Sequence, residues 1–233
     1  MNKSLKITLE IVLAAVIVLL VWLTVKSIQK PVKFNNEVAA RSQVAIQRLK
    51  DIRTLQVAFK SENGRFSPTI DSLKLFYETG KMNIIMQIGS MDDSIAVANT
   101  EAIKKANKKL KPAELTAKLQ QAYANGQKVV FSTVTAIPVK DTLFNNRPDF
   151  CIDSLAFIPF SGGEPVQMEA AIKTVSGVQV PLFEARMPYK ALLLGMDNQL
   201  RINLDADCRD RNRYEGLQVG SVTAPNNNAG NWE

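Results

Sequence analysis

Residues 7–25, "ITLEIVLAAVIVLLVWLTV", constrain this chain more than any other stretch. The run is apolar apart from Thr8, Glu10 and Thr24. As a helix it is just long enough to cross a hydrocarbon core of about 30 Å. A cleavable export signal has a shorter apolar core followed by a small-x-small site. Here the run passes instead into Trp22, Leu23, Thr24, Val25 and Lys26, with no cysteine after it to accept a lipid. The reading is an uncleaved signal-anchor: residues 1–6 form a cytoplasmic tail, 7–25 a single transmembrane span in the inner membrane, and 26–34 a juxtamembrane linker. Trp22 suits an interfacial position near the outer end, or serves as simple apolar filler.

Charge alone does not orient the span. Lys3 and Lys6 flank one end and Lys26, Lys30 and Lys33 the other, a nearly balanced count. A short tail before the span and a whole domain after it place the domain in the periplasm. The net charge of +7 is spread along the chain and interleaved with acidic residues, which argues against nucleic acid and for anionic headgroups or envelope polymers. The expected partners are the cytoplasmic membrane and envelope proteins of unspecified identity, with self-association through the N-terminal helix.

Glu10 lies near the entry end of the span, where a charge costs less than at mid-bilayer. One reading pairs it with Lys6, a helical turn earlier. Beyond the span, Pro31 is expected to interrupt the helix, and a second helical pattern runs from Asn35 to Lys60. Ala45, Leu49, Ile52, Leu55 and Phe59 form its apolar stripe. Arg41, Arg48, Lys50 and Arg53 make the rest basic, and Glu10, Arg41, Arg48 and Arg53 are the candidate assembly or interface residues. Asn63-Gly64 supplies a left-handed cap, followed by "ENGRFSPTIDSLKLF".

The stretch "ITLEIVLAAVIVLL" and the loop "ENGRF" resemble type IV pilins and type II secretion pseudopilins. In that family the membrane helix carries a glutamate that neutralises a neighbour's freed N-terminus, and a G-R-aromatic loop follows the long helix. The resemblance covers about the first third of the chain. It departs at the processing site, where Lys6 rather than glycine precedes Ile7. It therefore implies the architecture of a membrane helix leading into a headpiece, and leaves a processed filament subunit as the alternative. "RLKDIRTLQVAFKSENGRF", "FEARMPYKALLLGMDNQL" and "RYEGLQVGSVTAPNNNAGNWE" are similar to a family of uncharacterised single-span envelope proteins of Bacteroidetes, which implies location and fold but no mechanism.

The remainder reads coarsely. A short helix runs over Ser67 to Tyr77, capped by Ser67 with Pro68 at its first position and closed by Gly80. "MNIIMQIG" is a strand. Asp92 to Lys109 and Pro112 to Ala124 are two helices with thin apolar faces, expected to form a mobile, solvent-facing insertion over 92–124. Lys104, Lys105, Lys108, Lys109 and Lys111 make a basic patch there, which serves either solubility or binding. "KVVFSTVTAIPVK", "DFCIDSLAFIPF", "PVQMEAAIKTV" and "VQVPLFEARM" alternate like strands, with Gly162-Gly163 and Ser176-Gly177 as turns. A short helix at "PYKALLLGM", a last strand at "GLQVGSV" and an exposed Asn-rich tail over 225–233 complete the chain. The fold class is α+β: an N-terminal transmembrane helix continues into a long amphipathic helix packed on an antiparallel β-sheet, with a helical insertion, and the extracytoplasmic domain spans 35–224.

Chemistry is bounded chiefly by absence. There is no histidine, which removes Ser-His-Asp and Cys-His catalysis and HExxH zinc sites. Neither GxGxxG nor GxxxxGK[ST] occurs, so nucleotide binding has no support. Cys151 and Cys208 form either a disulfide, which in the chain-entropy model adds about 4 kcal/mol, or two free thiols packed as small apolar groups. Asp205, Asp207 and Asp210 have a partial likeness to a calcium loop, but the required glycine and final glutamate are missing, and the arginines at 209, 211 and 213 are placed to neutralise them. No spacing rule selects Asp149, Asp153 or Glu164 as a carboxylate pair. The expectation is a non-enzymatic structural or adaptor subunit without metal or cofactor, and the second alternative is a carboxylate-dependent envelope enzyme.

Overall fold

The computed structural model describes residues 3–233 and consists of mixed helix and antiparallel sheet. Helix α1 runs from Lys3 to Asn63 in one piece, with Pro31 inside it. The expected break at Pro31 is therefore corrected, and residues 26–34 are helical rather than a linker. Proline in a helix interior deletes one hydrogen bond and costs about 3 kcal/mol. Apolar turns precede it, and turns fastened to the rest of the fold follow it, so the loss stays local. Gly64, with φ of +71°, ends the helix as expected and donates its N–H to the Lys60 carbonyl at 2.8 Å.

The chain forms two compact units: residues up to Lys74 with Cys151–Glu233, and Leu75–Phe150. In the first, β3 (Gln167–Val175), β4 (Val178–Pro188) and β5 (Gly216–Gly220) form an antiparallel sheet in the order β3-β4-β5. Ser176 and Gly177, at φ of 51° and 82°, make the two-residue hairpin between Val175 and Val178, the turn whose twist suits adjoining strands. Helix α1 packs against β4 and β5. Ala45, Leu49, Ile52 and Leu55 are completely buried there with Phe183, Ala185, Met187 and Val219. The stripe predicted from sequence is thus the core face. Gln56 lies in the same buried row, and its amide donates to Ser67 O at 2.7 Å and accepts from Ser67 N at 2.9 Å. That exchange holds the loop after α1, and Phe66 of the loop meets Phe183 at 4.8 Å between ring centroids.

Three local expectations in or beside this unit change. "DFCIDSLAFIPF" contains a 3-10 turn, Ile152–Ala156, instead of a strand. Ser154 bonds back to the Cys151 carbonyl through both its N–H and its hydroxyl, at 3.1 and 2.7 Å, and such local bonds compete with a ladder. Helix α2 covers Ile70–Thr79, so it starts later than expected. Thr69 Oγ1 accepts from Ser72 N, while Ser67 is taken by Gln56. The 225–233 tail is not free: Gly220 N donates to Ala229 O and Asn231 N to Gln218 O, both at 3.0 Å. The Asn231 side chain accepts from Gln218 N and donates to Gly216 O. The segment thereby covers the outer edge of β5, which would otherwise present unpaired backbone groups.

After β4 come a short turn of helix, named α6 once the intervening helices of the second unit are counted, at Tyr189–Leu192, and α7 at Asn198–Asp210. In the second unit, β1 (Lys81–Ile88) and β2 (Phe131–Pro138) pair antiparallel from Lys81↔Pro138 to Ile88↔Phe131. Between them lie α3 (Ser94–Ala106) and α4 (Pro112–Ala124), and α5 (Val139–Thr142) follows β2. Asp93 caps α3 by accepting from the N–H groups of Ile95 and Ala96 at 3.0 and 3.3 Å. The thin apolar faces of α3 and α4 suffice for a small core: Leu119, Val129 and Phe131 are buried, with Ile88, Ile103 and Leu115 packed on them. Tyr77, Phe144 and Phe150 form a separate aromatic group, with Phe144 and Phe150 stacked at 3.9 Å.

Candidate functional site

Helix α1 carries the candidate residues Glu10, Arg41, Arg48 and Arg53, and its two halves differ. From Glu10 onward it contains a window of mean hydropathy 2.6 over 18 residues, none of it buried within the protein. Ile11, Leu13, Val18, Leu20 and Trp22 are each more than half exposed. By length and composition this segment can cross a membrane. Thr24 neutralises its hydroxyl by donating to Leu20 O at 2.8 Å, which a helix in an apolar solvent requires. Lys26 Nζ sits 4.8 Å from the Trp22 ring centroid, an arrangement that suits an interfacial belt. Glu10 is exposed on this half; the expected Lys6–Glu10 pair lies outside the described side chains.

The second half is fastened to the headpiece by a ladder of cations. Lys30 reaches Asp197 at 3.2 Å. Asp197 is the N-cap of α7, and its carboxyl is held below the ordinary range first by the Leu200 N–H and then by Lys30. Arg41 pairs with Glu37 at 2.8 Å, donates to the carbonyls of Leu192 and Leu194 at 3.2 and 3.0 Å, and lies over the Phe160 ring at 4.9 Å. Arg48 donates to Phe157 O at 2.7 Å, and burial lowers its pKa from the usual arginine value. Arg53 donates to Asn228 O at 3.3 Å and pairs with Glu233 at 2.7 Å. These contacts extend over roughly 35 Å of helix at 1.5 Å per residue. Carbonyls that end α6 and the 3-10 region thus receive charge-assisted donors. The arginines singled out from sequence as interface candidates are engaged inside the chain.

The remaining candidates are dispersed. Cys151 is exposed and Cys208 half-buried, and both are free thiols. Burial, then the nearby Asp207, pushes the Cys208 thiol up. Asp205, Asp207 and Asp210 sit on α7, so the calcium-loop likeness meets a helix and not a loop. Arg211 takes Asp207 at 2.8 Å, whereas Arg209 turns to Glu215 at 2.9 Å. Among the described residues no group of three or more Cys, Asp or Glu is placed to hold a metal ion. Asp153 pairs with Lys74.

Two participants escaped the sequence reading. Lys30 counted only as a flanking charge, yet it caps the ladder. Gln56 continues the row Ala45, Leu49, Ile52 at four- and three-residue steps, and a polar residue in that row was the available signal. Comparison with protein-family models finds no match, and neither the curated proteins nor the solved structures give a significant one.

Proposed function

We propose that this protein is a non-enzymatic, single-pass component of the cell envelope, anchored in the inner membrane by residues 7–25 with its headpiece in the periplasm. There it serves as a structural or adaptor subunit of pilin-like architecture. The observation that carries the reading is the continuity of α1. Its first half is a bare apolar rod, and its second half is the core helix of an antiparallel headpiece, tied down from Lys30 to Arg53. A helix held at this many points transmits the orientation of the membrane segment to the headpiece, which suits a positioning element. The likeness to pilins and to single-span envelope proteins points the same way.

The test uses the exposed Cys151 thiol. A membrane-impermeant maleimide added to intact spheroplasts is expected to label it, in material that stays with the membrane after alkaline extraction. Labelling only after lysis, or release by alkali, overturns the topology. Solubilisation in mild detergent is expected to recover a stoichiometric envelope partner; a clean monomer at native abundance counts against the adaptor role.

A further inference from the structure

The headpiece sheet has two edges, and the chain closes only one of them. Residues 226–231 cover β5. At the other end of the order lies β3, and beyond its ladder with β4 no backbone group of Gln167–Val175 has a hydrogen-bond partner among the described residues. The hairpin fixes which groups face outward. Val175 and Val178 flank its two-residue turn and form the hydrogen-bonded pair that such a turn closes on. Alternation then turns the backbone of Lys173, Ala171, Glu169 and Gln167 to β4, and leaves the N–H and C=O of Thr174, Ile172, Ala170 and Met168 pointing away from it. Pro181 opposite Ile172 agrees with this parity, since proline has no N–H to give at a bonded position. Such a row is a template for one more strand.

The side chains beside the row set a register. Glu169 and Lys173 share one face. Lys173 is exposed and has no acidic partner among the described residues. Glu169 lies 3.9 Å from Arg186, whose nearer partner is Glu184 at 2.9 Å. On the opposite face Ala170 pairs with the core residue Phe183. There Ala170, Ala171 and Ile172 line a recess of about 180 Å3 with Arg65, Phe66 and Pro68 of the loop after α1. A strand laid on the edge puts its residue opposite Ala170 against this recess.

A second copy of β3 fits the charges, with Glu169 facing Lys173 in both directions about Ala171. That pairing needs a two-fold axis normal to the sheet, and the axis reverses α1, which lies along β4 and β5. The two apolar halves would leave the dimer in opposite directions and could not share one membrane; this exclusion rests on the membrane-anchored reading. We propose that the free edge of β3 takes an extended segment of another envelope protein as a fourth, antiparallel strand. That segment carries an acidic residue opposite Lys173, an aliphatic residue opposite Ala170 and a basic residue opposite Glu169.

Fluorescence anisotropy with the full chain in non-ionic micelles tests it. The probe is a fluorescein-labelled peptide, Thr-Thr-Glu-Val-Thr-Ile-Lys-Thr-Thr, whose Glu, Ile and Lys fall opposite Lys173, Ala170 and Glu169. Saturable binding with a dissociation constant on the order of 100 μM is expected. A peptide with its Glu and Lys exchanged should bind about tenfold more weakly. One with proline in place of valine, opposite Ile172, should weaken by at least about tenfold, because that position donates to the ladder. Glu169→Lys combined with Lys173→Glu should reverse the preference between the first two peptides, and both side chains are exposed, so the fold is kept. Absence of saturable binding up to about 1 mM, or equal binding of the first two peptides, overturns the proposal. A full-chain dimer in analytical ultracentrifugation that Lys173→Glu dissociates overturns it in favour of a second copy. A soluble peptide needs no membrane topology, so failure here is distinct from failure of the maleimide test.

Discussion

Replacing Gln56 by leucine separates what the helix pattern says from what the packing says. Gln56 occupies a row of apolar residues, and glutamine and leucine have nearly equal helix propensity, so pattern alone expects Gln56→Leu to be neutral or stabilising. In the folded protein Gln56 and Ser67 are both completely buried. The glutamine amide is the partner of both Ser67 O, at 2.7 Å, and Ser67 N, at 2.9 Å. Leucine leaves both backbone groups buried without partners, at about 1–3 kcal/mol each. Extra apolar burial offsets about 1–2 kcal/mol of that, so a net loss of about 3 kcal/mol is expected. With a urea m-value near 2 kcal/mol/M, the midpoint falls by about 1.5 M. The chain has two tryptophans, so a Trp22→Phe background leaves Trp232, within the same compact unit as Gln56, as the fluorescence reporter. Gln43→Leu, on the exposed side of α1, is the control and should stay within about 0.5 kcal/mol. A midpoint for Gln56→Leu equal to or above the parent refutes the assignment of Gln56 as the loop's hydrogen-bond partner.

Further outcomes follow from the same contacts. The Glu233 carboxyl is held below its ordinary range first by Arg53 and then by the Gly230 N–H. A depressed folded pKa means that the contribution is present at neutral pH and is lost as pH falls through the folded value. Trp232 fluorescence should report loosening of the tail at a pH below the usual glutamate range, and Arg53→Met should move the midpoint upward; a midpoint unaffected by Arg53→Met refutes the pairing. Gly220 has φ of +73°, and a Cβ there would come 2.2 Å from Phe183 O. Gly220→Ala should therefore cost about 3 kcal/mol or more in urea unfolding, and a loss under about 0.5 kcal/mol contradicts the close approach of β5 to β4. Alkylation of the folded protein at pH 7.5 (about one pH unit below the usual thiol pKa) should modify Cys151 well before Cys208, because Cys151 is exposed and burial raises the Cys208 thiol. Equal rates by peptide mass mapping would contradict the placement of Cys208.

Much of the local structure could be read in advance where its cause was an apolar period or a characteristic cap or turn pair. The stripe of Ala45, Leu49, Ile52 and Leu55, the stop at Asn63-Gly64, the Pro112 start of α4 and the Ser176-Gly177 hairpin each depend on a few adjacent residues. Errors arose where a side-chain hydrogen bond that hydropathy does not register decided the outcome, even over a few residues. Ser67 was read as a helix cap, but Gln56 claims its backbone. "DFCIDSLAFIPF" was read as a strand because its apolar residues alternate, yet Ser154 closes a turn on Cys151. The free edge of β3 had no trace in the sequence, because which strand ends a sheet depends on how all of its strands pair.

By itself, then, the amino-acid order determined a long apolar segment able to cross a membrane, a basic amphipathic helix after it, and a mixed helix-and-strand remainder without histidine chemistry. These follow from hydropathy, helical period and residue inventory, which act over a few neighbouring residues. Tertiary structure alone decided that α1 runs unbroken through Pro31, that Arg48 finds Phe157 across 109 residues and Arg53 finds Asn228 across 175, and that residues 226–231 seal the edge of β5. Hydrogen bonds to distant backbone carbonyls leave no period in the sequence, since any residue can supply the carbonyl, and only the folded chain selects which one does.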